Sequence, residues 1–137
     1  MTIRNSTMKK MLVAGVFIFL VLLVAGAAAY EAQRFGERDD VQDFSDASRV
    51  VINLAESGFE PRRVRISAGT EVVFTTTRET PFWPASNLHP SHAIYSEFDP
   101  RQPIAPHESW SFVFGKKGTW GFHDHIRSYF TGIIYVE

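Results

Sequence analysis

Four of the five histidines in this 137-residue chain stand in two tight pairs, His89 with His92 and His123 with His125. Neighbouring imidazoles suit copper, zinc, nickel or iron. In Phe122-His-Asp-His-Ile126 the two rings are two residues apart, so on a strand they share a face while Asp124 points the other way. In Asn87-Leu-His-Pro-Ser-His92 the rings sit on a proline-bearing loop whose backbone can fold both toward one point. The four together can supply three or four nitrogens to one ion. Periodicity does not say which of His89 and His92 faces that point, because the loop around them has no period.

Cysteine is absent. That removes disulfides, thiolate nucleophiles and sulfur-ligated metal sites together, leaving histidine and carboxylates as the strong metal ligands. Asp124 keeps two readings open: a carboxylate ligand beside the histidines, or the partner of Arg127 in a neutral ion pair. His107 reads as a solvent-facing turn residue and no ligand. Glu97 and Asp99 read as exposed loop acids outside the site, although such acids can hold an imidazole N–H. Trp83, Phe82, Trp120, Tyr129 and Phe130 read as core aromatics before they read as the wall of a site.

The elements that must position these residues are strands. Twelve Phe, four Tyr and three Trp favour half-buried pleated surfaces over amphipathic helices. Arg49 to Leu54, Val64 to Ile66, Val72 to Phe74, Trp110 to Phe114, Trp120 to Ile126 and Gly132 to Val136 are short β-branched or aromatic runs broken by turn residues. Their spacing predicts an all-β sandwich of seven or eight strands. Between them, Thr75 to Ala105 carries Pro81, Pro84, Pro90, Pro100 and Pro103. It is too long for an idle connection, and long loops on a rigid sandwich carry function.

Ahead of this domain, Arg4, Lys9 and Lys10 precede an unbroken apolar run from Met11 to Val24 that continues in small residues to Ala29. The pattern is that of an export signal or a membrane anchor. If kept, the segment leaves its positive flank in the cytoplasm and the domain outside. The expected organisation is a signal or anchor over 1–30, a linker over 31–48 whose Phe35 and Phe44 can dock on the domain, and one domain over 49–137. The expected location is periplasmic or otherwise extracytoplasmic. A net charge of −1 gives no field for nucleic acid.

Gly58-Phe-Glu-Pro61, Val64 to Ile66, Ala68-Gly-Thr70 and Val72 to Phe74 resemble the opening of plastocyanin-like cupredoxins. Gly118-Thr-Trp-Gly-Phe-His-Asp-His125 through Phe130-Thr-Gly-Ile-Ile-Tyr-Val136 resembles their final copper-loop hairpin. The resemblance implies a Greek-key β-sandwich behind one N-terminal hydrophobic helix. It also marks a departure. Where a blue-copper loop has cysteine, histidine and methionine, this chain has Asp124, Arg127 and Phe130, so a blue electron carrier is excluded. The His-x-His pattern is similar to the last motif of multicopper oxidases, but one domain lacks the other histidine pairs of their cluster.

The sequence therefore points to an exported or membrane-anchored cupredoxin-like protein that binds a metal, copper(II) first and zinc or iron next, through His89, His92, His123 and His125 for metal handling. Another exported copper protein would be its partner. The rival reading is a metal-free scaffold used as an interaction module, with Asp124 and Arg127 paired where copper once sat. A metal-dependent oxidoreductase, with an open position on the ion, is the third.

Overall fold

A computed structural model describes the backbone of residues 3–137 and the side chains of residues 10–28, 30 and 40–137, in two compact units, Met1–Glu37 and Arg38–Glu137. The first is one helix, α1 (Ile3–Asp39), which continues past the first unit's boundary. Its stretch Lys10–Ala28 is apolar, with a mean hydropathy of 2.8 over 19 residues, and is long enough to cross a membrane. The helix also runs through most of the segment read as a linker, so the polar residues 31–39 are helical.

The second unit is a sandwich of two mixed sheets. One has the order β1 (Gln42–Phe44), β4 (Arg63–Ile66), β9 (Arg127–Val136), β8 (Gly118–Asp124), β6 (Pro84–Ser86). The other has the order β3 (Gly58–Glu60), β2 (Arg49–Ala55), β5 (Thr70–Thr76), β7 (Trp110–Phe114). These nine strands match the expected β-sandwich and add one element. β1 lies inside the expected linker and pairs parallel with β4, Gln42 opposite Val64 and Phe44 opposite Ile66. Phe44 packs against the core, whereas the side chain of Phe35 lies outside the described residues.

Alternation explains the strands. In β2, Val50, Ile52 and Leu54 are buried while Arg49 and Val51 face water, and in β4, Val64 and Ile66 are buried between arginines. The centre of the sandwich is aromatic: Phe74, Phe82, Phe98, Phe114 and Phe122 are all fully buried. Phe98 comes from the long loop, and its ring lies within 6 Å of those of Phe74, Trp110, Phe112, Phe114 and Phe122. Edge-to-face and offset contacts of this kind add to simple area burial. Tyr95, in a 3-10 turn over Ala93–Tyr95, is buried beside it. The loop is thus pinned to the core at Phe82, Tyr95, Phe98 and Ile104, and the histidines His89 and His92 fall between these anchors.

Candidate metal centre

Strand pairing brings the two histidine pairs together. β6 runs antiparallel to β8, with Ala85 opposite His123 and Ser86 opposite Phe122. The chain leaves β6 beside His123 and turns back over it. Asn87 N–H donates to Gly121 O at 3.0 Å, His92 N–H to Leu88 O at 2.6 Å and Ile94 N–H to Asn87 O at 2.8 Å. His92 has φ 52°, the left-handed region, which folds its ring inward. On the other side β8 and β9 form the final hairpin, with a register irregularity between His123 and Asp124. The expected strand extends only to Asp124; His125 lies in the turn, and its N–H donates to Trp83 O at 2.7 Å. The irregularity and the turn still leave both rings on one side.

One nitrogen from each of His89, His92, His123 and His125 lies within 4.8 Å of the others. His89 Nδ1 is 3.2 Å from His123 Nε2, and His92 Nε2 is 2.9 Å from His125 Nδ1. Two nitrogens bound at 2.0–2.1 Å to one ion lie about 2.9 Å apart at a right angle and about 3.4 Å apart at a tetrahedral angle. Both contacts fall in that range, and the four residues form a group that could hold a metal ion. His92 and His123 are buried, His125 half-buried and His89 exposed. Both loop histidines place a nitrogen in the group, His92 from a buried side chain and His89 from an exposed one.

The surroundings hold residues that the sequence reading left outside the site. Asp99 Oδ2 is 2.7 Å from His92 Nδ1, and both side chains are 4% exposed. Asp99 Oδ1 accepts from Trp83 Nε1–H and from Arg101 N–H, each at 2.8 Å. Burial raises the Asp99 pKa, but the hydrogen bonds from His92, Arg101 and Trp83 outweigh it and hold the carboxyl below its usual value. Asn87 Oδ1 accepts from His123 Nδ1 at 3.0 Å. Trp83 stacks obliquely on His125, ring centres 4.4 Å apart, and so belongs to the site as well as to the wall. Only the spacing of Asp99 from His92, in a loop, was visible beforehand, and nothing in it marks contact. Glu97, by contrast, pairs with Lys116, and His107 is an exposed partner of Glu79.

Asp124 takes the ion-pair arrangement. It is fully buried, its Oδ2 accepts from Arg127 Nη1–H at 2.9 Å and its Oδ1 from Trp83 N–H at 2.7 Å. Arg127 is held in turn by Pro81 O and Thr80 Oγ1. With both oxygens engaged, Asp124 is not among the converging donors. Of the wall aromatics, Phe82 is core, Trp120 and Phe130 pack on the core, and Tyr129 is exposed.

Electrostatics favour the neutral ring at His123 and His125. Burial is the main cause that lowers the His123 pKa to about 4, helped by the positive charge His92, His89 and His125 would carry and opposed by Asp99. The pKa of His125 is lowered for the same reasons, with burial first. Neutral rings offer the lone pairs that a cation needs.

No family model and no curated protein matches the sequence. Solved structures do. A purple cupredoxin from Nitrosopumilus maritimus superposes with a TM-score of 0.57 at 18% identity, over 64% of this chain and 99% of that one. A copper-containing nitrite reductase from Thermus scotoductus SA-01 matches at 0.53 and 20% identity, over 65% of this chain but only 22% of its own length. A variant of amicyanin, in its reduced state, matches at 0.56 and 16% identity, over 66% of this chain and 90% of that one. The β-sandwich of this chain has the cupredoxin fold, built without a single cysteine.

Proposed function

We propose that this chain is an exported or membrane-anchored protein that binds one metal ion, copper(II) foremost, through His89, His92, His123 and His125, and that it stores, delivers or senses that metal. The observation that carries the reading is the convergence of the four imidazoles within 4.8 Å, two of them buried. Four unrelated histidines have no reason to meet; the two buried rings are hydrogen-bonded at both nitrogens by Asp99, Asn87 and their neighbours, so the convergence itself supports the reading. The apolar helix segment Lys10–Ala28 supports placement of the domain outside the cytoplasm. The partner would be another exported copper protein that donates or accepts the ion.

The donor set supports copper(II), with zinc(II) and iron(II) next, since all three take imidazole nitrogen. An all-nitrogen set holds copper(II) well but offers no sulfur to tune it for rapid electron transfer, so handling fits better than redox carriage. The test is a copper(II) titration of the detergent-solubilised full-length protein by calorimetry and electron paramagnetic resonance, repeated on His123→Ala/His125→Ala. Tight one-to-one binding with nitrogen hyperfine structure and no strong band near ~600 nm, lost in the double variant, is expected. Equal binding by the double variant would place the binding outside this cluster, and no binding by the wild type would leave a cupredoxin scaffold used for protein interaction.

A further inference from the structure

We infer that Asp99 is a positioning residue that fixes His92 in its Nδ1–H tautomer and thereby aims the Nε2 lone pair into the donor cluster. The inference rests on the metal reading above for its purpose, but its geometry stands by itself.

An ionised carboxylate only accepts hydrogen bonds, so the 2.7 Å contact between Asp99 Oδ2 and His92 Nδ1 requires the proton to be on the imidazole. Asp99 cannot turn away. Its other oxygen is held by Trp83 Nε1–H and Arg101 N–H, and its side chain is 4% exposed. With the proton on Nδ1, the Nε2 of neutral His92 is a bare lone pair, and it lies 2.9 Å from His125 Nδ1. His123 is set the same way by a neutral group: its Nδ1–H donates to Asn87 Oδ1, leaving Nε2 toward His89 Nδ1. Room for that amide comes from Gly121, where a Cβ would lie 2.6 Å from Asn87 Nδ2.

The other two rings are free to adapt. Among the described residues, Nε2 of His89 and of His125 makes no hydrogen bond. In the metal-free protein these two rings donate Nδ1–H to His123 and His92. To ligate an ion through Nδ1 each would move its proton to Nε2. The cluster thus divides into a fixed pair, His92 and His123, and an adjustable pair, His89 and His125. Asp99 also leaves a negative charge one imidazole away from the ion. Arg101, 3.5 Å from Asp99 Oδ2 and largely exposed, offsets it only weakly. Carboxylate–histidine–metal relays of this form raise ligand basicity, and their loss costs roughly 10–100-fold in affinity.

Asp99→Asn makes a sharp test because it keeps the shape and reverses the hydrogen bond. Trp83 Nε1–H and Arg101 N–H still need an acceptor, so the amide oxygen stays with them and the NH2 turns to His92. The ring must then accept at Nδ1 and carry its proton on Nε2, where it blocks the lone pair. The experiment is two-bond 15N–1H correlation spectroscopy of 15N-histidine-labelled full-length protein in detergent at about pH 8, where imidazoles are ordinarily neutral. Spectra are taken without and with zinc(II), which is diamagnetic, alongside zinc affinity by chelator competition. In the wild type we expect His92 and His123 as Nδ1–H throughout, and His89 and His125 changing to Nε2–H on zinc addition. Asp99→Asn should show His92 as Nε2–H and bind zinc roughly 10–100-fold more weakly. Asp99→Ala, which dictates neither tautomer, should fall between. His92 as Nε2–H in the wild type would overturn the inference without need of any variant, as would Asp99→Asn that leaves the tautomer unchanged. Wild-type protein that takes up no zinc or copper would sink the metal site instead, and the tautomer of His92 would still decide the role of Asp99.

Discussion

His123 is 2% exposed and shares its surroundings with three other imidazoles, Asn87 and Asp99. Its pKa of about 4 in the folded chain stands below the ordinary 6.5 of a free histidine. Between those values the unfolded chain binds a proton that the folded chain refuses, so stability rises with pH through the window from 4 to 6.5 and is complete above it. The shift corresponds to about 3 kcal/mol for this residue, present at pH 7 and lost toward pH 4. Urea unfolding of the chelator-treated full-length protein should follow that slope, and His123→Gln should flatten it. A slope of equal size in His123→Gln would assign the pH dependence elsewhere. Asp124 illustrates the other residue-scale lesson. Its two readings stood open in the sequence because an acid three residues from an arginine can pair or ligate; the structure pairs it, since Trp83 N–H and Arg127 between them occupy both oxygens.

At the scale of elements, the long loop matters most. It leaves β6, passes His89 and His92, and returns to the core through Tyr95 and Phe98 before Asp99 meets His92. Phe98 is the bolt: fully buried, with ring contacts to both sheets through Phe74, Phe112, Phe114 and Phe122. Phe98→Ala should cost about 3–5 kcal/mol in chemical unfolding. Because Asp99 is the next residue, it should also weaken metal binding in protein that remains folded. Unchanged affinity in a destabilised variant would mean that the loop is held by its other anchors. The sandwich itself was legible, since alternation in segments such as Arg63–Ile66 and Trp110–Phe114 follows directly from one wet and one buried face. β1 was not: Gln-Asp-Phe has too few apolar residues to alternate, and it becomes a strand only because β4 offers it a free edge. The histidine pairs announced themselves by spacing. Asp99 did not, because a seven-residue separation through an aperiodic turn has no signature, and its contact depends on where Phe98 lands.

For the whole molecule, the four imidazoles come from two stretches of chain that are distant in sequence, the loop after β6 and the hairpin of β8 and β9. An ion held by all four binds the folded arrangement and not the unfolded chain. At a hundredfold excess over its dissociation constant it would add about 2.7 kcal/mol to stability. Copper(II) or zinc(II) should therefore raise the melting temperature of the full-length protein by several degrees. The rise should vanish in His123→Ala/His125→Ala, and an equal rise in that variant would place the binding elsewhere. The same arrangement has a consequence for the lifetime of the protein in a chain that has no cysteine to staple it. Proteases cut loops that open, and the proline-rich loop opens least when both its ends and its middle are tied down. A loaded molecule would outlast an empty one, so that turnover itself, with no further receptor, would keep the amount of protein in step with the supply of metal.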